Sequence, residues 1–226
     1  MDDKGTGEAI PLPVLRGTTI DDTLSGFPDR VGRDPRMGRR IERSVTMLFA
    51  DLRGYQKVAA RAGSETASSL CRQVVERCLD IVSEFGGSDV RVSGDPTRPQ
   101  VTGVFGGGDH AARGLRAAWA MRETALHSLH PAFGKDRFQI CIGLNSGTVA
   151  DTRVAGSGLS FRASGTVRMF TTRLREFAGP GQVMISDETY KEVSEIVRVR
   201  SIGTLRTNGD GEKAPAYCVI AVTDPE

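Results

Sequence analysis

From Ser44 onward, apolar positions along the chain alternate between strand-like and helix-like spacing. The apolar run at 45–50 favours a buried strand, because it is short and rich in β-favouring residues. After Ser64, which favours a helix start, apolar residues recur at three- and four-residue steps as far as Phe85. Gly86-Gly87 is typical of a helix end. This region therefore predicts a strand followed by one long amphipathic helix.

The rest of the chain predicts a hairpin, further helices and more strands. Strand-like segments at 89–93 and 100–105 flank Gly94-Asp95-Pro96, a sequence typical of a tight turn. The remaining predicted elements, in chain order, are a helix from Asp109 to His130, a strand at 137–144, a helix at 167–177, a strand at 182–186, a short helix capped by Asp187 and two strands ending near Val222. This order predicts an α+β fold with a mixed or antiparallel sheet covered by helices.

Residues 1–43 lack this periodicity and are rich in Gly, Pro, Asp and Arg. The end of the segment is basic through Arg30, Arg33, Arg36, Arg39, Arg40 and Arg43. Such a segment is either a solvated, flexible leader or an arm that packs on a partner subunit or on an anionic ligand. We therefore predict a partly ordered N-terminal arm at 1–43 and one folded domain at 44–226, large enough to be a catalytic domain.

Composition narrows the function classes. The chain has 226 residues, with 30 Lys and Arg against 28 Asp and Glu, a balance that argues against an obligate nucleic-acid binder. No apolar run reaches the roughly 18 residues of a membrane span, and the first residues lack the apolar core of a secretory signal. Four scattered cysteines form no metal or redox motif: Cys71, Cys78, Cys141 and Cys218. They predict buried free thiols in a reducing, cytoplasmic compartment.

Nucleophile and phosphate-loop templates do not fit the sequence. Ser146 is displaced by one place from the serine of a Gly-x-Ser-x-Gly elbow, and no Walker A sequence is present. The glycines at 106–108 are more typical of a turn than of a phosphate loop, and His127 and His130 lack a third metal ligand in register. These residues therefore predict no serine hydrolase, P-loop enzyme or histidine metal site.

Two aspartates remain as candidates for chemistry. Asp51 ends the first predicted strand and Asp95 lies in the hairpin turn, so pairing of the hairpin beside that strand would bring them together. Two adjacent carboxylates are the ligands that a pair of hard divalent cations requires for phosphoryl chemistry. Taken one by one, each aspartate is more typical of a turn or a cap. The residues after Asp51, from Leu52 to Tyr55, would offer backbone N–H groups to phosphates.

Five segments, in order along the chain, resemble the motifs of class III nucleotidyl cyclase catalytic domains. These segments are Val45–Tyr55, Gly87–Asp95, Ile142–Gly147, Gly165–Leu174 and Gly179–Ser186. The resemblance implies a ferredoxin-like α+β domain that forms a head-to-tail homodimer, with active sites at the subunit seam. Because the five matches keep the family's order, together they are far more specific than any one of them.

The resemblance also implies the reaction and its machinery. Two divalent cations, Mn²⁺ or Mg²⁺, would be held by Asp51, Asp95 and the backbone carbonyl of Leu52. Arg173 would stabilise the pentavalent phosphorus from the opposite subunit, and electrostatic stabilisation of that charge would be the main catalytic effect. Asp51, Asp95 and Arg173 are therefore the predicted catalytic residues.

The base-reading positions depart from the family pattern. Arg91 stands at the usual lysine, Thr166 at the usual aspartate and Met169 at the usual asparagine. Arg91 and Arg98 are donor-only groups, which suit the carbonyl oxygens of a pyrimidine ring, uracil above all. Tyr55 replaces the common phenylalanine and would narrow the pocket. The predicted substrate-binding set is Arg53, Gly54, Tyr55, Arg91, Arg98, Thr166 and Met169.

These departures resemble the pyrimidine cyclases of the Pycsar anti-phage defence system. The resemblance implies a cytoplasmic enzyme that converts UTP, in preference to CTP, to cyclic UMP and pyrophosphate. A separate effector would read this second messenger, without nucleic-acid or membrane partners. Two alternatives stay open: an adenylate or guanylate cyclase with an atypical pocket, and a catalytically inert module that binds a nucleotide or a partner.

Overall fold

A computed structural model describes residues 41–127, 137–151, 161–162, 165–207 and 212–223. Its elements, in chain order, are β1 (Ile41–Arg53), α1 (Tyr55–Ala62), α2 (Ser64–Glu84), β2 (Ser88–Asp95), β3 (Arg98–Gly106), α3 (His110–His127), β4 (Gln139–Asp151), β5 (Phe161–Arg162), α4 (Gly165–Phe177), β6 (Val183–Ser186), α5 (Asp187–Val193), β7 (Val197–Arg206) and β8 (Lys213–Val222). Residues 1–40 of the arm predicted at 1–43 lie outside the described residues.

Within the described residues the strands form one mixed sheet in the order β2-β3-β1-β4-β6-β8-β7, with β5 beside β4. Strand β1 pairs antiparallel with both β3 and β4. The pairing of β4 with β6 is parallel, and those of β6 with β8 and β7 with β8 are antiparallel. This confirms the prediction of an α+β fold with a mixed sheet covered by helices.

Alternation along β1 divides its side chains between two helix-covered faces. Leu48, Ala50 and Leu52 belong to the large core shared with α2 and α3. Met47 lies on the opposite face with Val167 of α4. Because neighbouring side chains of a strand point to opposite faces, the odd-numbered residues of β1, including Asp51, lie on the α4 side of the sheet.

Helix α4 lies very close to β4 because residue 143 is a glycine. A Cβ atom at Gly143 would sit 2.5 Å from the backbone N of Arg175 and 2.6 Å from the carbonyl O of Thr171. Both neighbours are backbone atoms, so neither can turn away as a flexible side chain could. The glycine thus sets the distance between the sheet and the helix that carries Arg173.

Several elements differ from the sequence prediction. Strand β1 begins at Ile41, inside the segment predicted as an arm, and α1 was not predicted. The cap of α5 is Ser186 rather than Asp187, since the Ser186 side chain accepts a hydrogen bond from the Thr189 N–H. Ser64 is the first residue of α2, not its cap, because Gly63 holds the N-cap position. The described part of α3 ends at His127, and His130 lies outside the described residues.

Candidate active site

Asp51 sits near the end of β1, in the middle of the sheet. It pairs with Gln100 of β3 on one side and with Cys141 of β4 on the other. Its exposed fraction is 0%. A carboxylate without water contact needs charged or hydrogen-bonding partners, because burial otherwise disfavours its ionised form.

Two arginines supply those partners. Arg98 donates from Nη2 to Asp51 Oδ2 at 2.6 Å, and its Nε lies 3.1 Å from Oδ1 and 3.2 Å from Oδ2. Arg53 donates from Nε to Oδ2 at 3.1 Å. Hydrogen bonding to Asp51 raises the pKa of the Arg98 guanidinium further. Both oxygens of the Asp51 carboxyl group thus accept hydrogen bonds from guanidinium groups.

The hairpin that carries Arg98 turns two residues later than its sequence predicts. Gly94 and Asp95 belong to β2, the turn is Pro96-Thr97, and Asp95 pairs directly with Arg98. The predicted turn at Gly94-Asp95-Pro96 is therefore wrong. Gly94 and Asp95 thus extend β2, and Arg98 and Pro99 extend β3. This extension places the Arg98 guanidinium within reach of β1.

Asp95 is exposed at the tip of this hairpin. Its Oδ1 accepts from the Thr97 backbone N–H at 2.7 Å and from Thr97 Oγ1 at 2.6 Å. These hydrogen bonds lower the pKa of the Asp95 carboxyl. The β2–β3 and β1–β3 registers place Asp95, Arg98 and Asp51 on the same face of the sheet. The two predicted metal aspartates therefore share a face, with Arg98 between them.

Main-chain hydrogen bonds fix the direction of the backbone groups around Asp51. Ile142 N donates to Gln182 O at 3.0 Å, so the backbone groups of Ile142 face β6. Because successive residues of a strand alternate in direction, those of Cys141 face β1. Cys141 pairs with Asp51, whose backbone groups consequently face β4. The next carbonyl, that of Leu52, is thus directed towards β3.

Proline lies opposite that carbonyl. The register Asp51↔Gln100, extended by one residue, places Pro99 across from Leu52. Proline has no N–H group, so it cannot donate the ladder hydrogen bond that a strand carbonyl normally accepts. The Leu52 carbonyl oxygen is left without that donor, which fits a backbone oxygen ligand at this position.

The donor set fits the divalent cations that the resemblance implies. In the described part of the chain, no three His, Cys, Asp or Glu side chains are grouped to hold a metal ion. The set is instead two carboxylates, from Asp51 and Asp95, and the carbonyl of Leu52. Hard cations such as Mg²⁺ and Mn²⁺ prefer oxygen ligands of this kind. The oxygens of Asp51, however, are held by Arg98.

The loop after β1 opens directly into α1. Gly54 has a φ of +107°, and a Cβ atom there would lie 2.5 Å from the carbonyl O of Arg137. The N-terminus of α1 has no side-chain cap, and Lys57 N donates to Gly54 O at 3.0 Å, so the N–H groups of Tyr55 and Gln56 are the ones placed to bind an anion. Tyr55 is buried, and its hydroxyl lies 2.7 Å from Ser68 Oγ and 3.2 Å from Ser64 O. That hydroxyl therefore faces the contact between α1 and α2.

The predicted residues of α4 lie on its exposed side. Arg173 is exposed and donates to Glu176 Oε2 at 3.1 Å. Thr166 is also exposed, and Met169 has an exposed fraction of 45%. Because residues four apart share one side of a helix, Met169, Arg173 and Phe177 form one exposed stripe. All three residues of this stripe are exposed in the described part of the chain.

Arg91 lies on β2, the edge strand of the sheet, where the strand registers place it on the same face as Asp51. It is an exposed residue of β2, and its Nη2 lies 2.6 Å from Asp89 Oδ1. Within one subunit it binds a neighbour two positions away along the same strand, while Arg98 reaches across to β1. The structure thus brings Arg53 and Arg98 to Asp51 but leaves Arg91 at the outer strand of the sheet.

One residue near the site was missed by sequence reasoning. Arg175 of α4 is buried, and its Nε has no hydrogen-bond partner among the described residues. Burial raises the pKa of the Cys141 thiol and the Asp51 charge adds to this, while Arg53, Arg98 and Arg175 lower it. Two guanidinium groups thus hold the buried Asp51 carboxylate, and that of Arg175 lies near Cys141, the β4 residue paired with Asp51. Such an excess of positive charge favours a polyanionic ligand.

Comparisons with known proteins identify the class of this domain. Residues 39–221 match the model of the adenylate and guanylate cyclase catalytic domain. The adenylyl cyclase CyaB from P. aeruginosa is similar at a TM-score of 0.66 and 22% identity, covering 81% of this chain and 96% of CyaB. The guanylate cyclase domain of RhGC from Catenaria anguillulae, solved in complex with GTP, gives a TM-score of 0.64 and 23% identity, covering 81% of this chain and 100% of that domain.

A third similar structure is the dimeric guanylyl cyclase domain of the RhoGC fusion protein from Blastocladiella emersonii. Its TM-score is 0.63 at 20% identity, covering 82% of this chain and 98% of that domain. The comparison with curated protein sequences finds no match.

The chain therefore belongs to the adenylate and guanylate cyclase catalytic domain family, the class III cyclases. It is a nucleotide cyclase domain by that membership, and its enzyme class is a lyase. Within the described ranges, no helix has the length and apolar character needed to cross a membrane.

Proposed function

We propose that this domain is a pyrimidine nucleotide cyclase that converts UTP to cyclic UMP and pyrophosphate as a homodimer. The observation that carries the proposal is the Asp51 cluster, where guanidinium groups of Arg98 and Arg53 stand beside a carboxylate suited to a divalent cation. A site with this charge suits a triphosphate. The donor-only side chains near it suit a base that presents carbonyl oxygens.

In the proposed reaction the ribose 3′-oxygen attacks the α-phosphorus of the same nucleotide. The new bond is between that oxygen and the α-phosphorus, and the bond that breaks joins the α-phosphorus to the bridging oxygen of pyrophosphate. The 3′-hydroxyl releases its proton to water, and pyrophosphate leaves with the electron pair of the broken bond. When bound, the divalent cations would activate the hydroxyl and neutralise the developing negative charge.

The residues of the chain would orient the substrate and stabilise charge. Asp51, Asp95 and the Leu52 carbonyl would hold the cations. The free N–H groups at the start of α1, after Gly54, would bind phosphate oxygens. Arg173 would be supplied by the partner subunit, and its exposed position on α4 supports a role across an interface. Electrostatic stabilisation of the transition state typically contributes about 10²–10³ in rate for each donor.

Selection for uracil would follow from what the site lacks as well as from what it holds. Thr166 offers a hydroxyl where the family carries a carboxylate, so the exocyclic amino group of adenine would lose an ionised acceptor. Arg98 and Arg91 donate hydrogen bonds only and suit the uracil O2 and O4 atoms. Tyr55 is not part of this selection, because its side chain is buried in the core shared with α2 and α3 and its hydroxyl contacts Ser68.

A purine cyclase is the second candidate, because the similar structures are adenylyl and guanylyl cyclases. The test is incubation of the purified chain with each ribonucleoside triphosphate and Mn²⁺, followed by mass spectrometry of the products. Cyclic UMP that is absent with Asp51→Asn supports the proposal. Cyclic AMP or cyclic GMP as the main product supports the second candidate. No product from any triphosphate would support a catalytically inert module.

We further propose that the product is a second messenger of anti-phage defence, formed in the cytoplasm and read by a separate effector. The four cysteines support a reducing compartment, since all of them are free and buried. The test is measurement of cyclic nucleotides in cells that express the chain, before and after phage infection. Cyclic UMP that rises on infection with the wild type, and not with Asp51→Asn, is the expected result.

A further inference from the structure

We propose that Arg98 is a gate on Asp51: its guanidinium binds the carboxylate, and a divalent cation must displace it to bind. This inference rests on the proposed function, because the cation in question is that of the cyclase reaction. It adds a regulatory role for a residue in the hairpin between β2 and β3. We call the contact between Arg98 and Asp51 the Arg98 gate.

The Arg98 guanidinium already occupies both carboxylate oxygens of Asp51. Arg98 lies within 3.2 Å of both carboxylate oxygens of Asp51, and Arg53 adds a third nitrogen at 3.1 Å from Oδ2. A cation ligated by the same oxygens would lie roughly 2.0–2.6 Å from them. It would then stand within a few ångströms of the guanidinium group, in a position where like charges repel strongly. Cation and Arg98 therefore compete for Asp51.

Of the two partners in this contact, Arg98 is the one that can move. Asp51 has a side-chain exposure of 0% and lies on a strand paired on both sides, while the Arg98 side chain is 56% exposed. Arg98 can thus rotate into solvent without breaking the core. Arg53 stays at Oδ2 when Arg98 leaves, so the buried carboxylate never lacks a cationic partner.

The backbone of Arg98 is held in place by strand pairing. Its backbone pairs with Asp95 next to the Pro96-Thr97 turn, so its Cα stays beside both predicted metal aspartates after the side chain is released. The competition is therefore intramolecular and acts at a high effective concentration. A released guanidinium at this position is also available to a phosphate or a base carbonyl.

The first test measures Mn²⁺ binding to the full chain without nucleotide, by electron paramagnetic resonance of free Mn²⁺. Removing the positive charge in Arg98→Gln is expected to tighten Mn²⁺ binding at least about tenfold relative to the wild type. Adding Asp51→Asn to Arg98→Gln should abolish that gain. Arg77→Gln is the matched control, because Arg77 also binds a carboxylate, Glu84, at 2.6 Å but lies on α2.

The outcomes separate the gate from the proposed function. A folded Arg98→Gln chain that binds Mn²⁺ no more tightly than the wild type overturns the gate. An equal gain in Arg77→Gln also overturns it, because net charge alone would then explain the effect. Formation of a cyclic nucleotide by the wild type is scored separately, so the gate can fail while the cyclase proposal stands.

The second test needs no variant of Arg98 to fold. Arginine Nε–H resonances of the wild type are followed by NMR during titration with diamagnetic Mg²⁺. The Arg98 Nε–H signal is expected to start protected by its hydrogen bonds to Asp51 and to shift to a solvent-exposed position as Mg²⁺ binds. If signals of Asp51 and its β1 neighbours shift while Arg98 Nε–H stays protected, the gate is wrong.

Discussion

At the scale of single residues, Asp51 is unusual because its carboxyl side chain is fully buried in the middle of the sheet. Its position is tolerated because Arg98 and Arg53 hydrogen-bond the carboxylate. The same burial makes Asp51 a rigid ligand whose position does not depend on solvent. Removing the arginine partners changes its charge environment, and removing Asp51 itself removes the anchor of the proposed site.

Arg173→Ala tests the catalytic role of the exposed arginine on α4. Because Arg173 contacts Glu176 near the surface, its loss should change stability by no more than about 0.5 kcal/mol. Turnover is expected to fall about 10²–10³-fold, if the side chain stabilises the transition state across the seam. The measurements are kcat and thermal unfolding of the same sample.

The control for this prediction is Glu176→Gln, which removes the same ion pair but keeps Arg173. It should retain near wild-type turnover. Full turnover in Arg173→Ala would show that the reaction does not use this arginine.

At the scale of elements, the approach of α4 to β4 decides where Arg173 stands. A Cβ atom at Gly143 would lie 2.5 Å from the α4 backbone N of Arg175, and a Cβ atom at Gly147 would lie 2.8 Å from the side-chain Cγ2 of Val167. The methyl group of an alanine at either glycine would push against α4. The position of α4 therefore depends on the glycines of β4 as well as on the residues of the helix itself.

Gly143→Ala is expected to destabilise the domain by about 1–3 kcal/mol, because the added methyl group overpacks a rigid contact. The matched control is Gly165→Ala at the first residue of α4, where a Cβ atom meets nothing within 4 Å. That change should be neutral or stabilising by about 0.5–1 kcal/mol, since alanine favours the helix. Chemical denaturation of both variants measures the difference. Equal stability of the two variants would contradict the close packing of α4.

Helix α2 makes the domain sensitive to alkaline pH. Burial raises the pKa of the Cys71 thiol from 9.0 to about 11 and that of the Cys78 thiol from 9.0 to about 12. Above pH 9 the unfolded chain releases these protons while the folded chain keeps them, so stability falls as pH rises. The loss is about 1.4 kcal/mol per pH unit for each thiol until its folded pKa is reached.

The measurement is the free energy of unfolding between pH 8 and pH 11, with and without Cys78→Ala. The variant should lose less stability over this interval than the wild type, whatever its stability at pH 8. An identical slope in the two proteins would mean that Cys78 does not contribute to the alkaline loss.

At the scale of the whole molecule, the sheet order places the predicted catalytic residues on one face. Asp51 and Asp95 lie at the β1–β3–β2 end, and Arg173 lies on α4, which packs on β4 and β1. Arg173 is exposed on α4, where its guanidinium forms an ion pair with Glu176 of the same helix. A second subunit is what the proposed reaction requires to bring the two charges to one substrate.

Mixing two inactive variants tests this arrangement. Asp51→Asn and Arg173→Ala homodimers are each expected to be inactive, but a mixed dimer contains one site with both residues intact. After subunit exchange the mixture should recover about a quarter of wild-type activity, since half of the dimers carry one restored site of two. No recovery, with exchange confirmed by mass spectrometry of tagged chains, would show that both residues act within one subunit.

Much of the fold follows from local patterns. The apolar run of β1 and the stripe of α2 predict their elements because burial imposes period two on strands and three to four on helices. Helix α1 escaped this reading because only Tyr55 and Val58 of its residues are buried. The hairpin turn was placed wrongly since Gly94-Asp95-Pro96 and the actual Pro96-Thr97 turn are both plausible turn sequences.

The sequence by itself determined the family, the order of the main elements and the candidate carboxylates, because these depend on residue type and on spacing along the chain. Only the tertiary structure decided that Arg98 holds Asp51, since the two residues are 47 positions apart and meet through strand register. It also decided that Pro99 faces the Leu52 carbonyl. Register depends on turn length and on packing of the whole sheet, so no local pattern could reveal either contact.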